Sequence, residues 1–171
     1  MTEGKGSPGT LGFPAAGDDV EQALGIAYRY LNRCERTQAE VRERLARAGV
    51  EPQDVERAIA TLAGQGYLDD ARFVRLFVQD KRELEEWGKD RIRQTLLARG
   101  VDPDLVEEAL TEPDGDGEIE RAVALLRRRF PSPAGDRRER DRALGVLLRK
   151  GYDAELALDA ITVHTLARDE F

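Results

Sequence analysis

The side chains able to do chemistry are few and far apart. Two carboxylates stand together at Asp69 and Asp70, with a single histidine at His164 and a single cysteine at Cys34. Neighbouring carboxylates can act as a general acid and base. Here they precede an apolar-periodic run, where a carboxylate accepts an orphan helix amide and complements the helix dipole. His164 lies near the end of the last helical segment, where a cation is favoured, and no ligand spacing surrounds it. Cys34 has only Arg33 and Arg36 nearby and reads as a plain thiol. The chain contains no phosphate-cradling Gly-rich loop, no Gly-x-Ser-x-Gly and no zinc spacing. The sequence therefore offers no catalytic residue, metal site or cofactor motif.

Its binding chemistry is carried by arginine. From Glu118 to Gly151 ten basic residues face five acidic ones, a local charge of +5 within a chain of net charge −7. The run includes Arg127, Arg128, Arg129, Arg137, Arg138 and Arg142. A guanidinium fork gives phosphate or carboxylate two hydrogen bonds at once. A second set, Lys89, Arg91 and Arg93, lies mid-chain, with Lys89 and Arg93 on one helical face and Arg91 elsewhere. Both sets are candidate contacts to acidic groups of a partner protein or to DNA phosphates, and a solvated helical face is the plainer alternative. Trp87, before the helix-breaking Gly88, reads as a packing residue between helices.

The elements that must hold these residues are all helical. Charged residues are 36% of the chain and aromatics 6%, which suits exposed helices with narrow apolar faces. The acidic total argues against tight general binding to nucleic acid. One cysteine permits no internal disulfide and suggests a reducing, cytoplasmic setting. No apolar run approaches a bilayer's thickness, so no membrane is expected.

Apolar residues recur at three- and four-residue spacing from Val20 onward. The first helix is expected from about Val20 to Arg33, capped by Asp18 or Asp19. Thr37 and Glu40 form a capping box, and Gly49 closes the helix they open. Pro52 starts a third helix that Gly66 ends. Asp69 caps a fourth, to about Glu86, with Leu68 and Phe73 as a hydrophobic staple. Further helices are expected from Gly88 to Gly100, from Pro103 (capped by Asp102), from Glu118 to Phe130, from Asp136 to Lys150 and from Ala154 to His164.

These helices repeat. Glycines at 49, 100 and 151 recur at 51-residue steps, each after a leucine-bearing helix end. The match extends back to Val41, Ile92 and Ala143, and forward to Ala58-Ile59, Ala109-Leu110 and Ala160-Ile161. The expected fold is all-α, an elongated tandem array of three three-helix repeats. Its expected divisions are a disordered tail (1–17), repeats at 18–66 and 67–111, a linker (112–117) and a third repeat (118–171). Such an array favours binding over catalysis.

Three motifs stand out. One is Ala27-x-x-x-Leu31-x-Arg33-x-Glu35-Arg36-Thr37-x-x-Glu40-Val41-x-x-x-Leu45. A more specific one is the inter-repeat motif Gly66-Tyr67-Leu68-Asp69-Asp70-Ala71-Arg72-Phe73, continued by Phe77-Val78. A third is Gly88-x-x-x-Ile92-x-x-x-Leu96-x-x-x-Gly100-Val101. In these residues the chain resembles the RecX family of bacterial recombinase regulators, and the filament protein such regulators bind joins DNA as a candidate partner for both basic sets. The resemblance covers about Leu24 to Ile161, and in the third repeat only Leu147 to Ile161. It implies a curved body of three-helix modules that binds the RecA recombinase filament and modulates, mostly inhibits, its ATPase and strand exchange. It also implies a place in DNA repair, recombination and the SOS response. It implies no catalytic residue.

Three function classes stand at this point. The first is a monomeric, non-enzymatic RecA regulator. The second is a stand-alone helical DNA-binding protein, whose short helix–Gly–helix turns allow a helix-turn-helix reading. The third, a helical scaffold for peptides, fits less well, because such scaffolds often use two helices in roughly 34 residues.

Overall fold

The computed structural model describes residues 16–111, 117–132 and 136–166. Among them are nine helices and no strand: α1 (Ala16–Leu31), α2 (Gln38–Arg47), α3 (Pro52–Gly64), α4 (Asp70–Glu83), α5 (Lys89–Ala98), α6 (Pro103–Thr111), α7 (Glu118–Arg129), α8 (Arg137–Lys150) and α9 (Ala154–Leu166). Residues 1–15 of the expected tail, nearly all of the expected linker, and residues 133–135 of the loop before α8 lie outside the described residues, while residues 16–17, expected in the tail, belong to α1. No described helix is long and apolar enough to cross a membrane.

The helix ends follow the sequence closely. The Thr37 Oγ1 accepts from the Glu40 amide at 3.2 Å, and the Glu40 carboxylate accepts from the Thr37 amide at 2.9 Å. The Asp69 carboxylate accepts from the Arg72 amide and that of Asp136 from the Glu139 amide, at 2.9 and 2.8 Å. Some boundaries differ. Helix α1 begins at Ala16, so Asp18 and Asp19 sit inside its first turn and not at its cap. Helix α4 ends at Glu83, and Glu86 lies beyond it with a left-handed φ of 53°. Helix α9 runs past His164 to Leu166.

Three apolar clusters hold the helices. The first gathers Ala27, Val41, Leu45, Ile59 and Leu62, with α1 against α3. The second gathers Phe73, Ile92, Leu96, Val106 and Leu110 from α4 to α6. The third gathers Leu126, Ala143, Leu147, Tyr152 and Ile161 from α7 to α9. Leu68 joins the first cluster and Phe73 the second, so the expected staple pair is divided between two cores. By contacts the chain forms two compact units: residues up to Glu35 with Val41–Leu68, and Arg36–Glu40 with the chain from Asp69 onward.

The 51-residue spacing has a physical content. Leu45, Leu96 and Leu147 are all fully buried, one per cluster. Each carbonyl accepts from the amide five residues on, Val50, Val101 and Tyr152, at 3.1–3.2 Å. The amides of Gly49, Gly100 and Gly151 return to Ala46, Leu97 and Leu148, each at 3.0 Å. This double closure is a Schellman motif, and it needs a left-handed residue, here glycine at φ 81°, 73° and 88°.

Inside the second unit, two of these glycines also meet other backbone. The Gly88 amide donates to the Lys150 carbonyl at 2.9 Å, and the Asp90 amide to the Gly151 carbonyl at 3.1 Å. A Cβ on Gly151 would collide with the Arg91 Cβ and lie 2.5 Å from its nitrogen. Fifty-one residues earlier the geometry recurs: the Thr37 hydroxyl donates to the Arg99 carbonyl at 2.8 Å, and a Cβ on Gly100 would lie 2.5 Å from the Ala39 Cβ.

This predicts unequal costs for one chemical change. Gly49 has open space around it. Gly49→Ala should cost about 1–2 kcal/mol, the left-handed backbone penalty alone. Gly151→Ala should cost clearly more, about 3 kcal/mol or above, because backbone must also move. Urea unfolding of both variants checks this; equal losses would refute the close-approach account.

Candidate functional site

The residues of the inter-repeat motif make structural contacts. Gly66 takes φ 78°. Tyr67 packs edge-on to Tyr28 with ring centroids 5.3 Å apart, and Leu68 is buried. Asp69 caps α4, while the Asp70 carboxylate accepts from the Gln38 amide at 3.0 Å. Phe73 lies beneath the Arg99 guanidinium, 4.5 Å from its ring centroid. Both carboxylates are thus engaged at backbone amides, away from any cleft.

The mid-chain cations are clasped to the protein. Arg93 forms a bidentate pair with Glu107 at 2.6 and 3.1 Å and reaches Asp90 at 2.8 Å. Fifty-one residues earlier Arg42 grips Glu56 in the same way, at 2.7 and 3.2 Å. The pair is a repeated clasp between the second and third helices of a triplet. Lys89 stands 3.5 Å from the Glu118 carboxylate. Arg91 donates to the Arg149 carbonyl at 3.1 Å and stacks 4.0 Å above the Trp87 ring, which Lys81 also approaches at 4.8 Å. These aromatic brackets lower the cost of holding the cations in place.

The later arginines separate into two groups. Arg128 pairs with Glu86 through both guanidinium nitrogens. Arg127 and Arg129 on the last turn of α7, and Arg137, Arg138 and Arg142 on α8, are exposed and make no ion pair with a described residue. They flank one connection, from Phe130 to Asp136. These five stand in the last turn of α7 and the first two turns of α8, on either side of that connection, while Lys89, Arg91, Arg93 and Arg128 make internal contacts.

Sequence reasoning passed over Glu86 and its surroundings. Its carboxylate takes Arg128, its carbonyl accepts from the Tyr152 hydroxyl at 3.1 Å, and the preceding Glu85 carbonyl accepts from Lys150 at 2.6 Å. No local pattern marks a residue whose partners lie 42 and 66 positions away. Hydrogen bonding to Arg128, reinforced by its charge and those of Lys150 and Arg129, holds the Glu86 carboxyl below the ordinary range. Burial alone would raise Glu40, but its hydrogen bonds to Arg99 and the Thr37 amide, with nearby positive charge, bring it below that range too. Burial pushes the Tyr152 hydroxyl up to about 12, so it stays a neutral donor. His164 is buried at 5% exposure, its Nε2 3.1 Å from the Phe130 carbonyl. Cys34 is exposed. Among the described residues, no three His, Cys, Asp or Glu side chains gather as a metal site would require.

Residues 23–62 and 69–110 match the family descriptions "RecX, first three-helix domain" and "RecX, second three-helix domain". A regulatory protein RecX of Mycobacterium avium is 35% identical over 154 residues, which cover 88% of each chain. The chain belongs to the RecX family. Another RecX regulatory protein, from Leptothrix cholodnii, is 36% identical over 77% of this chain and 82% of its own. The crystal structure of RecX from Lactobacillus salivarius superposes with a TM-score of 0.76, covering 88% of this chain and 99% of that one, at 22% identity. That likeness shows a RecX-type helical repeat fold. The second RecX domain begins at Asp69, the residue that caps α4.

The Glu86–Arg128 pair predicts a pH response with a definite sign. A carboxyl lowered in the folded state stabilises fully above its ordinary value of 4.5, and that stabilisation fades as pH falls through the lower folded value. The wild type should therefore lose more urea resistance between pH 6 and pH 3 than Glu86→Gln does. Unfolding midpoints across that range measure it; parallel curves would remove the pair from the stability account.

Proposed function

We propose that this protein is a non-enzymatic regulator of the RecA recombinase, acting in the cytoplasm by binding the RecA–DNA filament and lowering its ATP turnover and strand exchange. The observation that carries the reading is membership of a family of regulatory proteins along most of the chain. The surface chemistry supports it. Five exposed arginines that make no ion pair with a described residue flank the α7–α8 connection, where they can meet acidic patches of a recombinase or the phosphates of the strand it holds. The carboxylates of the inter-repeat motif are engaged at helix ends, which fits a binding protein without bond-making steps.

Contact through arginine forks gives affinity without choice of sequence and weakens with salt. Added near equal amounts, the protein should slow single-strand-DNA-dependent ATP hydrolysis by the cognate RecA. Reversing Arg137, Arg138 and Arg142 together to Glu should raise the half-inhibitory concentration by about 10-fold or more, at unchanged helicity. An ATPase assay with co-sedimentation tests both statements. A salt-dependent shift of DNA without recombinase, paired with no effect on hydrolysis, would favour the stand-alone DNA-binding reading instead.

A further inference from the structure

In the first two triplets an Arg–Glu clasp ties the second helix to the third, Arg42 to Glu56 and Arg93 to Glu107. The positions 51 residues beyond Arg93 and Glu107 are Leu144 and Leu158. The third triplet thus replaces a bidentate ion pair with two leucines. They do not close over each other. Leu158 is 55% exposed, and the two line an open groove of about 370 Å³ between α8 and α9, with Ile161 and Leu166 further along. Of the eight large apolar side chains exposed among the described residues, four lie on α8 and α9.

The rim of this groove is charged. Arg140 lines it, Arg137 stands one turn before Arg140, and neither pairs with a described residue. Asp141 is the one carboxylate among the lining residues. The rim is also the place where the joint geometry runs out. Segments 37–40 and 88–91 lie against a glycine cap at Gly100 and Gly151, while at the equivalent 139–142 no described residue lies in that role.

We propose that the α8–α9 groove docks an acidic amphipathic helix of a partner protein. Its leucine-type anchors, at i, i+4 and i+7, would cover Leu144, Leu158 and Leu166, and its carboxylates would meet Arg137 and Arg140. Charge complementarity selects this occupant. A second copy docking groove to groove would set the same arginines against each other. Nucleic acid would satisfy the arginines but leave the leucine floor wet. The inference deepens the arginine-face reading above by naming the partner's chemistry.

The probe is a labelled 16-residue helical peptide with a Leu stripe and Glu flanks, beside the same peptide with Lys in place of Glu. Fluorescence anisotropy with the full chain should show the Glu peptide binding at least ~10-fold tighter than the Lys peptide. Leu158→Glu should weaken it by ~10-fold or more, and Asp141→Lys should tighten it by a few-fold, both with unchanged circular dichroism. Equal binding of the two peptides, no binding, or indifference to Leu158→Glu would overturn the proposal. So would a dimer mass in light scattering that Leu158→Glu converts to monomer. Peptide binding without any inhibition of RecA would sink the filament reading alone; inhibition without peptide binding would sink the groove alone.

Discussion

A single backbone requirement underlies the second unit: at Gly100 and Gly151 a helix must end with a left-handed residue that has no side chain. The left-handed turn lets two amides return to the last carbonyls of α5 and α8. The missing Cβ lets another segment come within hydrogen-bonding distance of that turn. At Gly151 the partner is the backbone of Gly88 and Asp90; at Gly100 it is the Thr37 hydroxyl and the Ala39 side chain. The Gly151 joint is thus made by backbone alone, while the Gly100 joint depends on a threonine hydroxyl and a small side chain. Gly49, with the same φ and empty surroundings, shows that conformation and close approach are separate demands.

The charges follow from this. Short helices leave many orphan amides and carbonyls, four at each end. Asp69, Asp136, Asp153 and Glu40 satisfy amides, while Lys150, Arg91 and Arg82 donate to the carbonyls of Glu85, Arg149 and Leu110. Arg42 and Arg93 clasp neighbouring helices. An ionisable group held this way has little freedom to move a proton or meet a ligand. Arg127, Arg129, Arg137, Arg138 and Arg142 are not held in this way by a described residue.

Much of this was legible in the sequence. The capping box at Thr37–Glu40, the Asp69 cap, the left-handed glycines and the inward residues at 51-residue steps all follow from local rules, and the structure has them. The α1 start was not legible, because two aspartates resembled a cap more than Ala16 did. Among the candidate residues, local reading could name Arg93 and Arg128 but not see their acids, which stand 14 and 42 positions away. The repeat held part of that answer: Arg42 and Glu56, Arg93 and Glu107 are one pair written twice. The Glu86–Arg128 pair is not written twice: 51 residues earlier stand Glu35 and Phe77, so the acid recurs and its arginine does not.

The repeat is also informative where it fails. The clasp and the glycine joint answer separate demands: the clasp draws two helices of one triplet together, and the joint lets another segment approach a helix end. Replacing Arg and Glu by Leu144 and Leu158 exchanges a pair that solvent satisfies for apolar area that solvent penalises, by about 25 cal/mol for each Å² left exposed. Leu144 packs against the third cluster, so folding accounts for it, but Leu158 is 55% exposed. An apolar side chain left in water beside arginines that make no ion pair with a described residue carries a cost that an apolar, acidic partner would offset.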